Sequence, residues 1–411
     1  MGRAELKMAK GPAAPAPVIP FVGAALPYRR KYYTAQQQVG AVAQGNGSTV
    51  DVSPTGNKIF AYGWLRAHTV YVSTVTAASS GGTVGQYGIP GIFNIVQIRQ
   101  PGGQEMFGGP NFNGWHSYLA QKYSAWRFCN DPFLLPSYAN SATSPAITLR
   151  QVFELNHQTG LGSLPNQNDA APWQAQFVLA AAGPSPNGFY TTVPTTTNPT
   201  VSVQYFVECW TVPSPQNPLR PGVRQMTAPP LAGTLNKWTI QQEVVPGGSA
   251  FDALLIRKGN SIRNLGMINF TSANLLLATA NTPNPITVQW DGQVVRANDN
   301  PVLWIDDDYM TRGGAAQTTP ETADVGIVWL KNADLAGIDI TALGLDGLGM
   351  SRQWGTTQTS TISLGGTWGA TVAYIQLLTN DVQYVLPAPN PYAARSGEPF
   401  LQNMAQPSAI T

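Results

Sequence analysis

A chain of 411 residues exceeds what one hydrophobic core usually supports, and its 11% charged side chains fall well short of the roughly 25% of an ordinary soluble domain. Its 41 glycines and 34 prolines are too few for a disordered or collagen-like chain; with abundant Val, Ile, Thr and aromatic residues they indicate an all-β protein in two domains of roughly 150 to 200 residues. A surface left in water would normally carry more Lys, Glu and Asp, so neighbouring chains are expected to cover much of this one; the plainer alternative is a secreted β-protein with a Thr, Asn, Gln and Ser surface.

The net charge of +2 is unevenly placed. Residues 1–31 hold Arg3, Lys7, Lys10, Arg29, Arg30 and Lys31 against Glu5 alone, a local +5, which leaves the other 380 residues at −3. Residues 1–50 therefore read as a basic arm, extended in polyproline fashion by prolines 12, 15, 17, 20 and 27. After YRRKYY (Tyr28 to Tyr33), TAQQQVGAVAQ could make one or two helical turns. Cations flanked by aromatics suit lipid head groups or nucleic-acid phosphate; equally, the arm could lie along a neighbouring subunit. The apolar stretch Pro12 to Pro27 is too kinked for a secretory or membrane-spanning segment. Leu6 stands where N-myristoylation takes Ser or Thr. A protein made and used without crossing a membrane is expected.

The first domain is placed at 51–212. Lys58 to Ala77 is long enough for one bent strand or two, and Phe93 to Gln100 turns at Pro101-Gly102-Gly103 into QEMF as a hairpin. In Asn113 to Phe128, residues Trp115, Tyr118, Leu119, Lys122 and Trp126 fall at helical spacing behind a possible Asn113 cap. Strands follow at Ala146 to Asn156, Gln174 to Ala182 and Thr200 to Val212; in the last, Val201, Val203, Tyr205, Val207 and Cys209 alternate with Ser202, Gln204 and Glu208.

Residues 213–230, PSPQNPLRPGVRQMTAPP, hold six prolines and read as a semi-rigid connector. The second domain, 231–387, repeats the pattern: a strand over Leu235 to Val245, two strands around Lys258-Gly259-Asn260, and Ile286, Val288 and Trp290 leading into an Asp291-Gly292 hairpin turn. Strands at Val325 to Lys331, Thr357 to Leu364 and Ala370 to Thr379 complete it, before an extended tail at 388–411. About eight strands per half fit two tandem jelly rolls, each a pair of four-stranded sheets, with short helical insertions.

Chemistry is weakly signalled. His68, His116 and His157 show no metal-ligand spacing, Cys129 and Cys209 form no CxxC, and no nucleotide-binding or nucleophile motif occurs. Both cysteines read as buried apolar side chains, His116 as a packed helix residue, and Asp306-Asp307-Asp308 as a solvated loop rather than an ion site. An enzyme would need convergent carboxylates, for which Glu154, Glu208 and Asp252 could be nominated. No catalytic residue, metal or cofactor is assigned.

In Phe93 to Ser124, FNIVQIRQPGGQEMFGGPNFNGWHSYLAQKYS, preceded by VDVSPTGNKIFAYGWLRAHTVYV, and in Leu254 to Phe270, LLIRKGNSIRNLGMINF, the chain resembles the double jelly-roll major capsid proteins of tectivirus-like bacterial viruses, which carry an icosahedral shell over an internal membrane. The likeness runs over about residues 48–385, with no counterpart for the loops at 81–91 and 307–324. It implies a virion shell protein synthesised in the host cytoplasm and assembled as a pseudo-hexameric homotrimer beside neighbouring capsomers. The arm cations Arg3, Lys7, Lys10, Arg29, Arg30 and Lys31 would then face inward towards the membrane. Minor or vertex capsid proteins are further implied partners, and sequence-specific nucleic acid is not. The alternative is a glycan-binding adhesin or viral spike of tandem β-sandwiches, with exposed Trp and Tyr for stacking.

Overall fold

The computed structural model describes residues 18–38, 47–52, 62–76, 83–100, 103, 105–108, 112–123, 146–156, 159–168, 170–184, 188–192, 200–212, 224–255, 261–290, 292–304, 327–331, 354–355 and 362–383. The main strands of the first half are β1 Leu26–Gln38, β2 Gly47–Val52, β3 Tyr62–Thr76, β4 Phe93–Arg99, β5 Glu105–Gly108, β6 Ala146–Val152, β7 Trp173–Leu179 and β8 Thr200–Val212. Those of the second are β9 Leu235–Val244, β10 Ala250–Leu255, β11 Ser261–Phe270, β12 Ile286–Trp290, β13 Gln293–Asp299, β14 Ile327–Lys331, β15 Ile362–Thr367 and β16 Tyr374–Gln383.

Sheet order runs β1-β8-β3-β6 and β5-β4-β7-β2 in the first half, and β14-β11-β16-β9 and β10-β15-β12-β13 in the second. Counted within its own half, each roll places strands 1-8-3-6 opposite 2-7-4-5, the jelly-roll order. The two strands predicted within Phe251 to Phe270 are Ala250–Leu255 and Ser261–Phe270, and they enter opposite sheets of the second roll.

Local chemistry accounts for the elements. In β8 the alternating Val201, Val203, Tyr205, Val207 and Cys209 are buried, and Ser202, Gln204 and Phe206 are half-buried on the outer side. Gly292 adopts φ +74° between the paired β12 and β13, a left-handed backbone that favours glycine. The helix Gly114–Tyr123 begins on a glycine because an added Cβ there would strike the Pro90 carbonyl. Its Trp115, Tyr118, Leu119 and Lys122 are buried, as their spacing predicts; Trp126 lies outside the described residues.

Two expectations are corrected. Residues 26–38 are the first strand of the first roll, paired along β8 from Thr211↔Leu26 to Thr200↔Gln38, so Tyr28 to Tyr33 is no free arm and Thr34 to Gln38 is extended rather than helical. Pro27 is tolerated because β1 is an edge strand. The two halves are also not independent domains on a spacer. β9 pairs in parallel with β5, Trp238↔Phe107 and Thr239↔Gly108, and fuses one sheet of each roll into a single nine-stranded sheet, which includes the short Trp354–Gly355 strand.

The two cores lie on opposite faces of this sheet. Side chains alternate along a strand, and the consecutive Leu377 and Leu378 belong to the second and first cores respectively, as do Met267 and Ile268. Trp238, Ile240, Ile268, Phe270 and Leu378 of the second half thereby complete the first roll's core. Replacing Trp238 by Ala should lower stability by about 3–5 kcal/mol and move one cooperative transition that both halves share. Denaturant titration read by two probes checks this; two separated transitions would show independent halves.

Candidate assembly surface and the joint between the rolls

The outer flank of β1-β8-β3-β6 collects the cations of the amino-terminal region. Register aligns Lys31, Phe206, Thr69 and Arg150 in one row across the sheet, with Arg29 opposite Glu208 beside it. Arg29 Nη2 and Arg150 Nη2 each donate to one Glu208 carboxylate oxygen at 2.6 Å. The carboxylate is 9% exposed, whereas Arg29 is 64% and Arg150 41% exposed. Burial alone would raise the Glu208 carboxyl, but Arg150 and Arg29 together outweigh it and hold it below the usual carboxylate range. Two arginines and the exposed Lys31 against one carboxylate leave the row cationic. Arg30 lies over the Tyr32 ring, 4.9 Å from its centroid. Of the six arm cations, Arg29, Arg30 and Lys31 are therefore on a strand of a sheet flank; Arg3, Lys7 and Lys10 lie outside the described residues.

One end of the same flank is closed. Val18–Ile19 pairs in parallel with Arg224–Gln225 from the end of the connector, and Phe21 packs edge-on against Trp64 and Trp210. Trp64 Nε1 donates to the Thr227 carbonyl at 2.9 Å. Beneath, buried Glu154 accepts from Trp210 Nε1, from Arg66 Nε at 3.0 Å and from Ser163 Oγ at 3.2 Å, while the Arg66 guanidinium stacks 3.9 Å from the Trp210 ring centroid. The nominated carboxylates do not form an acid–base pair: Glu154 and Glu208 hold arginines, and Asp252 is exposed on β10 in a different sheet. Cys209 is buried, and burial pushes its thiol up to about 12, so it packs as an apolar group. Cys129, His157 and Asp306 to Asp308 lie outside the described residues.

The helix between the rolls is locked by histidine. Asn113 Oδ1 accepts from Trp115 N and His116 N, and Asn113 N donates to His116 Nδ1 at 3.1 Å, a capping box with His in the third helical position. With Nδ1 accepting, Nε2 carries the proton and donates to Gln376 Oε1 of β16 at 3.0 Å, tying the first roll's helix to the second roll. One turn on, Ser117 Oγ accepts from Gln151 Nε2 at 2.6 Å, and Gln151 Oε1 contacts His68 Nε2. Burial dominates both rings, lowering His116 to about 3 and His68 to about 4. The Asn-x-x-His spacing was visible in the sequence; Gln376, 260 positions away, carried no signal. Among the described residues no three His, Cys, Asp or Glu side chains gather as a metal site, and no helix is long and apolar enough to cross a membrane.

No protein-family model matches the chain, and no curated protein does. Among solved structures, the STIV major capsid protein aligns with a TM-score of 0.54 at 10% identity, covering 90% of this chain and 99% of that one. The atomic structure of Sulfolobus Turreted Icosahedral Virus gives 0.53 at 8% identity over 90% and 93% of the two chains, and the PBCV-1 virus capsid 0.50 at 14% over 87% and 93%. The chain has the double jelly-roll fold of these viral major capsid proteins. That double jelly roll agrees with the fold predicted from the sequence.

The depressed histidines make the double jelly roll acid-sensitive. Both are neutral when folded, so their stabilisation is complete above the unfolded value near 6.5 and is lost as pH falls towards the folded values, each costing up to about 1.4 kcal/mol per pH unit. Glu208 adds a loss only below the usual carboxylate range. His116→Gln keeps an acceptor for Asn113 and a donor for Gln376, and should roughly halve the slope between about pH 6 and 4.5. Urea midpoints across that range check it; an unchanged slope would clear His116.

Proposed function

We propose that this chain is the major capsid protein of an icosahedral virus, forming homotrimers whose six rolls imitate a hexagonal tile. The reading is carried by one observation: the fold is shared with a viral major capsid protein over 90% of this chain and 99% of that one. The architecture suits the role. Rigid sheet flanks face sideways and connecting loops gather at the ends, so lateral contacts fall on rigid elements. Closed symmetry then covers a weakly charged surface. The reading assigns no catalysis, in keeping with the arginine-bound Glu154 and Glu208. The seven tryptophans whose side chains are described are all buried, so none of these offers the stacking surface of a glycan-binding spike.

Location in the virion shell follows from this reading, with neighbouring capsomers as partners. A bacterial host, an internal membrane and minor or vertex proteins extend it. Arg3, Lys7 and Lys10 remain assigned to the inner face, while Arg29 and Lys31 belong to a flank. The purified protein should scatter light as a particle of three times 43.9 kDa at micromolar concentration and give hexagonal outlines in electron micrographs. A monodisperse monomer would reject the capsomer. On intact particles the amino terminus should resist added protease; rapid trimming would place it outside.

A further inference from the structure

We propose that the second roll carries a site of self-modification, at which the Lys237 amine displaces ammonia from the Gln383 side-chain amide and joins the roll's first and last described strands by an isopeptide bond. The proposal concerns the single chain and stands apart from the capsomer reading.

The three groups that such an acyl transfer needs, an amine, an amide and a carboxyl group, meet on one ladder. Lys237 of β9 lies directly opposite Asp381 of β16, and Leu235 opposite Gln383. Side chains alternate along a strand, so Lys237, Asp381 and Gln383 share the face that Leu377 gives to the second core. Diagonal neighbours on such a face are within reach of long side chains. Lys237 Nζ accordingly donates to Gln383 Oε1 at 3.5 Å, although the two residues are 146 positions apart. Thr239 Oγ1 donates to Asp381 Oδ2 at 3.4 Å and steadies the carboxylate opposite Lys237.

The surroundings favour the reaction. Lys237 is 6% and Asp381 2% exposed. Burial lowers the Lys237 amine, and Asp381 opposes that effect without cancelling it, so more of the amine is in its neutral, nucleophilic form than at a surface lysine. β16 lies between β9 and β11, and β9 between β16 and β5. Backbone pairing thus holds amine against amide, and the step is spared the entropy of bringing them together. Gln383 is exposed, which gives the leaving ammonia a way out.

In the step itself, the Nζ lone pair attacks Cδ of Gln383. Asp381 takes the proton that Nζ sheds and passes it to Nε2, and the Cδ–Nε2 bond breaks as ammonia leaves. One C–N bond replaces another, nothing is oxidised or reduced, and Asp381 ends as it began. The product fastens β9 to β16 covalently and closes a loop around the second roll, a constraint on the unfolded chain that grows with loop length.

The test is mass spectrometry of the full-length protein, held folded at about pH 8.5, where more lysine is neutral. The intact mass should fall by one ammonia. Trypsin does not cut after an acylated lysine, so digestion should release Lys237 and Gln383 in one branched peptide. Wild type held in urea, with its strands apart, should keep its full mass. Asp381→Asn should form the bond about a hundredfold more slowly and Lys237→Arg not at all, with circular dichroism showing both variants folded. Lys237 recovered free after prolonged incubation of folded wild type, or ammonia lost only at an Asn-Gly pair, would overturn the proposal. Equal rates in wild type and Asp381→Asn would overturn the part given to Asp381 and the site as described.

Discussion

The parallel pairing of Trp238 with Phe107 is the constraint on which the rest of the molecule depends. It places β9 at the edge of the first roll's sheet, and the second roll then builds on that strand. From there the β9-β16-β11 sheet must be covered on both sides. That explains why β16 is buried from Ile375 to Val382 without interruption, and why its sequence does not alternate as β8 does. Burial on both faces also traps polar groups, which then need partners. Asn380 Nδ2 donates to Asn236 Oδ1 at 2.5 Å and to the Lys237 carbonyl at 3.2 Å; Thr239 and Thr379 lie 3.1 Å apart. Burial lowers the Lys237 amine, and Asp381 across the ladder opposes that effect. The polar ladder and the two-faced sheet have one cause, the docking of one roll on the other.

The same docking explains the helix. A helix wedged between rolls cannot leave its first N–H groups to water, so its cap must be supplied locally and its free ring nitrogen must find a partner in the other roll. Asn113 and His116 satisfy the first need and Gln376 the second. Histidine serves both at once because its neutral ring has one acceptor and one donor nitrogen. A protonated ring would set Nδ1–H against the Asn113 N–H.

Much of this was legible in the sequence where the signal is local. The alternation of Val201 to Cys209, the hairpin turning at Gly292 and the Asn113 cap each depend on neighbours a few residues away, and each is present. β1 was hidden because edge strands tolerate proline and charge, so Pro27 and Arg29 to Lys31 read as an arm. The cations themselves were visible, but the carboxylate that fixes Arg29 lies 179 positions on, and Arg150 58 before that carboxylate. The fused sheet was illegible for the same reason: nothing near Trp238 names Phe107 as its partner.

A strap of prolines between two sandwiches suggests a hinge, yet its end is fastened. Residues 224–225 pair with 18–19, Thr227 accepts from Trp64, and Phe21 seals the seam against Trp210. Residues 224–227 therefore close one end of the first roll's flank. Within the chain, backbone pairing in one sheet fixes how roll meets roll.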